Sequence, residues 1–118
     1  MPELFDVIEL TTDIPEQALY AGMEGTIVAS HPGDAYEVEF VDPSGETLAS
    51  LALRSHQFIV VWQASTGAPV PAAEQVTALM KRLPESAGQE VLDFARFLHE
   101  RGQRPGFRRV TDSAATAR

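Results

Sequence analysis

The sequence predicts a mainly β fold with α structure at the C-terminal end: a small five-stranded closed barrel followed by a helical hairpin. Three observations point there. The hydrophobic period is strand-like before residue 63 and helix-like after it. Tight-turn signals recur at 22–25, 31–34 and 42–45. Charge changes at the same place as the period. Residues 1–63 carry eleven carboxylates against one cation, Arg54, a net of −10; residues 64–118 carry eight cations against six carboxylates, a net of +2, and the whole chain sums to −8.

The elements follow in order. Phe5 to Leu10 reads as a first strand, with β-branched and aromatic residues between alternating acids. After a connection holding Pro15, Ala21 to Val28 reads as a tight turn feeding a strand, its glycines free to take positive φ. His31-Pro32-Gly33-Asp34 is a turn. Ala35 to Val41 is the clearest strand, with Tyr36, Val38 and Phe40 on one face and Glu37 and Glu39 on the other. Asp42-Pro43-Ser44-Gly45 turns the chain into a strand over Thr47–Leu53. Arg54 to Gln57 is a short connection of about one helical turn, and Phe58 to Trp62 is the last strand. Five short strands joined by tight turns favour closure, which removes exposed sheet edges.

Residues 64–73 are rich in Pro and Ala and read as a linker. A helical hairpin is expected over 74–104. Its first helix carries Ala72, Val76, Leu79, Met80 and Leu83 as an apolar stripe, and its second carries Val91, Phe94, Ala95 and Leu98 at helical spacing. Pro84 separates the two, and Gly102 suits a C-terminal cap. Residues 105–118, small and polar with Arg108 and Arg109, are expected to form a flexible tail. The division is thus an acidic barrel over 1–63, a linker, a hairpin and a tail.

Composition removes several function classes. Cysteine is absent, which excludes disulfides, thiolate metal sites and cysteine nucleophiles and fits a cytoplasmic setting. The first residues, Met1 to Asp6, do not read as a signal peptide. No apolar run approaches the roughly 18 residues that a membrane helix needs. His31, His56 and His99 show no ligand spacing, and Ser55-His56 has no oxyanion-hole motif beside it. There is no phosphate-binding Gly-rich loop and no dinucleotide fingerprint. No catalytic residue, metal or cofactor is expected. A net of −10 also weighs against nucleic-acid binding by the barrel, since affinity for phosphates comes from Lys and Arg.

Two groups remain as candidates for binding a partner. Glu37 and Glu39 form an acidic strand face, which reads either as a solvated surface or as a dock for a basic protein. Phe94, Phe97 and Leu98, with Val91, make an apolar arc too wide for one thin seam. That arc is expected to pack internally, covering Trp62, or to hold a second copy or a partner in helix-in-groove fashion.

At these residues a resemblance enters. Phe5 to Leu10, the Ala21-Gly22-Met23-Glu24-Gly25-Thr26-Ile27-Val28 turn, and Ala35 to Thr47 resemble a bacterial family of short acidic proteins, the domain of unknown function DUF4926, over about residues 3–62. The resemblance implies an SH3-like barrel, similar to transcription-elongation (KOW) modules and to the barrel of the nitrile hydratase β subunit. Leu83-Pro84-Glu85 and Gln89 to Leu98 resemble a second bacterial family, DUF2281, over about residues 74–101. That one implies a short helical hairpin from small proteins of toxin–antitoxin type. Neither family carries an established catalytic residue onto this chain. The function expected is therefore a non-enzymatic protein-binding module, antitoxin-like, with a toxin encoded nearby or a second copy as its partner. An accessory subunit that stabilises an enzyme complex and a weak nucleic-acid-binding KOW-like barrel are the alternatives.

Overall fold

Alternation along residues 35–41 becomes a strand with one buried face. Tyr36, Val38 and Phe40 are at most 5% exposed, while Glu37 and Glu39 lie half-buried on the opposite face. The computed structural model describes residues 1–103; the expected tail over 105–118 and the cations Arg104, Arg108 and Arg109 lie outside the described residues. The strands are β1 (Val7–Leu10), β2 (Glu24–His31), β3 (Ala35–Val41), β4 (Thr47–Arg54), β5 (Phe58–Gln63) and β6 (Ala68–Pro69), and the helices are α1 (Ala72–Met80) and α2 (Glu85–Gln103). Two compact units result, one over Met1–Arg82 and one from Leu83 onward. The division read from the sequence grouped both helices after a linker at 64–73, a stretch that here holds β6 and the start of α1.

All six strands form one antiparallel sheet in the order β4-β3-β2-β1-β5-β6. Its buried face gathers Ile8, Leu10, Ile27, Val38, Phe40 and Phe58 into one core, joined by Leu19 from the loop between β1 and β2. The sheet is strongly curled. In a flat sheet β3 and β5, three positions apart, would lie about 14 Å from each other. The rings of Tyr36 and Phe58 instead meet edge to face, with centroids 5.8 Å apart.

The curl stops short of closure, so the closed five-stranded barrel expected from the sequence is not seen. The sheet is open, with β4 and β6 at its edges. The physical reason lies at the seam. The carbonyls of Ser55 and Phe58, where β5 begins, accept hydrogen bonds from Arg82 at 2.9 and 2.7 Å instead of from a neighbouring strand. Arg82 also donates to the Ala78 carbonyl at 2.7 Å, which ties the end of α1 to the start of β5.

Three local readings are corrected. The first strand begins at Val7, because Phe5 is 59% exposed in a left-handed conformation (φ 71°) and Asp6 is buried. The Asp6 carboxylate accepts the N–H groups of Glu3 and Ala64, both at 2.9 Å, and so joins the N-terminal residues to the exit of β5. The two glycines of the 22–25 turn differ in role. Gly22 has φ +97°, which suits only a residue without a Cβ, whereas Gly25 sits where a Cβ would lie 2.7 Å from Val38 Cγ1 and 2.8 Å from the Phe40 ring. Finally, the stripe predicted for the first helix does not face the sheet: Val76, Leu79 and Met80 are 38–47% exposed. Gln75, Ala78 and Arg82 occupy that side, because the hydrogen bonds of Gln75 to the Val70 carbonyl and of Arg82 to β5 set the helix rotation.

Candidate functional site

Glu37 and Glu39 lie on the outer face of β3, as the alternation predicts, and both are held by neighbours. Glu37 accepts the Ser50 hydroxyl from β4 at 3.0 Å and meets His31 Nε2 from β2 at 3.4 Å, an ion pair when that imidazole is protonated. Glu39 accepts the Thr47 hydroxyl at 2.7 Å. These contacts satisfy one or both oxygens of each carboxylate and lace the face across three strands. Arg54, the single cation of residues 1–63, donates to the Gly33 carbonyl, and its neighbour Ser55 donates to Asp34 at 2.6 Å. The cation is thereby committed to bracing the β2–β3 turn.

Phe94, Phe97 and Leu98 lie together along α2, and none is buried: they are 61%, 52% and 38% exposed. The two rings stack with centroids 6.2 Å apart, and the Arg101 guanidinium sits 5.7 Å from the Phe97 centroid. Asp93 accepts from Gln89 at 3.1 Å and pairs with Arg96 at 3.7 Å on the polar side. The sequence brought these three residues onto one face correctly. No residue of α2 is buried.

The clefts of the sheet unit were not anticipated, and two of them are lined by strand residues. One, of about 390 Å³, is lined in part by Asp6, Phe58, Glu74, Lys81 and Arg82. Both Asp6 oxygens already accept backbone N–H groups, and the terminal nitrogens of Arg82 already donate to carbonyls, so these groups serve the fold. The other, of about 560 Å³, is lined by Val7, Glu9, Glu24, Val61, Trp62 and Pro69, with Gln75 of α1 completing it. Successive strand residues normally point to opposite faces. Val61 and Trp62 both line this cleft because the ladder shifts beside them: Val7 opposes Trp62 while Ile8 opposes Val60, which leaves Val61 as a bulge. Glu9 and Glu24 are directly opposed across β1 and β2. Alternation in the sequence places Glu9 on the outer face, but the register with Glu24 and the bulge depend on pairing partners that no local pattern names.

His31 ends β2, His56 lies in the turn before β5 and His99 is on α2. Among the described residues no group of three or more His, Asp or Glu side chains is placed to hold a metal ion, and no helix is long and apolar enough to cross a membrane.

Fold and surfaces together define a curled acidic β-sheet module followed by an amphipathic helix with an exposed apolar face. Residues 4–60 match the family described as Domain of unknown function (DUF4926), and residues 75–112 match the one described as Protein of unknown function (DUF2281), the placements that the sequence resemblance implies. No curated protein and no solved structure matches the chain.

Proposed function

We propose that this chain is a non-enzymatic protein-binding module of antitoxin type, acting in the cytoplasm. One observation carries the reading: Phe94, Phe97 and Leu98 share one helix face and remain 38–61% exposed. Exposed aromatic residues clustered on one helix face favour helix-in-groove recognition. In this mechanism α2 anchors the chain to a toxin encoded nearby or to a second copy. The acidic module then meets, or sterically blocks, a basic nucleic-acid-binding surface of the partner, where charge complementarity speeds encounter and sets specificity. The sheet module is read as SH3-like. Its ladder order and the short 3₁₀ turn Ser55–Gln57 between β4 and β5 support that reading.

Co-expression with the neighbouring gene product, followed by purification and light scattering, tests the proposal. A complex of defined mass is expected, lost in the Phe94→Glu/Phe97→Glu variant. A chain that stays monomeric and alone at low salt would sink the reading.

A further inference from the structure

The cleft beside Trp62 carries an inference of its own. Glu9 and Glu24 face each other across neighbouring strands, an arrangement that destabilises a sheet when the charges are alike. The ion pairs seen among the described residues, His31–Glu37 and Arg96–Asp93, involve neither carboxylate. Between and beside them the lining is apolar and aromatic: Val7, Val61, Trp62 and Pro69. The bulge at Val61 is what places two successive side chains in this one cleft. A carboxylate pair next to an indole, in a cleft of about 560 Å³, has a definite chemical complement.

We infer that this cleft receives an arginine side chain of a partner protein, its guanidinium against the Trp62 indole and its N–H donors on Glu9 and Glu24. A guanidinium is planar and stacks on aromatic faces, and its forked donors match carboxylate oxygens. Its aliphatic stem suits the apolar lining contributed by Val7 and Val61. A phosphate, a carboxylate or another anion meets only repulsion here. The inference deepens the proposed function and rests on it, since it names where the acidic module would grip a basic partner. It places that grip on the β1–β2–β5 surface; Glu39, opposite Thr26 on the adjoining strand, accepts the Thr47 hydroxyl, and Glu37 meets Ser50 and His31.

Trp62 is the only tryptophan in the chain, so its fluorescence reads this cleft alone. The experiment titrates the full chain at low ionic strength with the peptide Ac-Gly-Arg-Gly-NH2, using Ac-Gly-Gln-Gly-NH2 as the neutral control. A saturable change in Trp62 emission is expected with the arginine peptide only, weakening as salt rises. Glu9→Gln/Glu24→Gln should weaken it about tenfold or more. The same variant should melt a few degrees higher, because like charges no longer oppose each other, so the loss cannot be ascribed to unfolding. Glu37→Gln/Glu39→Gln removes equal charge from the adjoining strand, outside the cleft lining, and should leave binding within about twofold. Equal effects of the two double variants would overturn the inference in favour of a general acidic field. Identical responses to the arginine and glutamine peptides, or none to either, would overturn it outright. Loss of the α2-dependent complex, in contrast, bears on the proposed function without touching the fluorescence result.

Discussion

In the sheet unit Phe40 and Phe58 are each 1% exposed, whereas in α2 Phe94 and Phe97 are 61% and 52% exposed. Both pairs follow the period of their element, alternation for the first and helical spacing for the second. The sheet curls until residues from five strands share one core, so its apolar face is covered by itself. A single helix cannot fold over its own stripe. The lesson is that periodicity tells which residues share a face and leaves open what, if anything, covers that face.

The strongest way to break the contrast is a pair of truncations. Phe40→Ala should destabilise the protein by about 3–5 kcal/mol, the range for a large aromatic removed from a packed core. Phe94→Ala should change stability by less than about 0.5 kcal/mol, as surface substitutions do. Denaturant titration of both variants reads this directly, and a loss above 1 kcal/mol for Phe94→Ala would erase the distinction. A middling effect is expected at the seam. Arg82→Met removes charged donors from the Ser55 and Phe58 carbonyls and should cost about 1.5–3 kcal/mol. Amide exchange along α1 should accelerate while α2 is unchanged; equal acceleration in both helices would show that the seam does not belong to the sheet unit alone.

The smallest effect concerns the β3–β4 turn. The Ser44 hydroxyl and then the Glu46 N–H hold the Asp42 carboxyl below its ordinary pKa. A carboxyl lowered in the folded state stabilises the fold above the unfolded-state value, and that contribution disappears as pH falls through the folded value. The stability advantage of the parent over Asp42→Asn should therefore be present at neutral pH and vanish at strongly acidic pH. Thermal melts across that range would show it, and an advantage independent of pH would remove the assigned cause.

Much of the sheet was legible because its signals are local. The Ala35–Val41 strand, the Asp42–Gly45 turn and the one-turn connection at Ser55–Gln57 all depend on residues within a few positions of each other. The faces of Glu37 and Glu39 followed from alternation alone. Three features were illegible for a common reason. The seam depends on Arg82 reaching carbonyls 24 and 27 residues away. The rotation of α1 depends on the same reach, which is why its sequence stripe faces outward. The cleft depends on a β1–β5 register that skips Val61.

The sequence by itself determined the succession of strands followed by helices, the segregation of acidic charge into residues 1–63 and which apolar residues share a side of each strand or helix. These are properties of short windows, where backbone geometry repeats every two or 3.6 residues. Only the tertiary structure decided that the sheet curls without closing, that Glu9 opposes Glu24 beside Trp62, and that the face of Phe94 and Phe97 has no cover within its own helix. Each of those rests on the pairing or absence of pairing between residues far apart in the chain, which sets register, seams and burial and which no local period encodes.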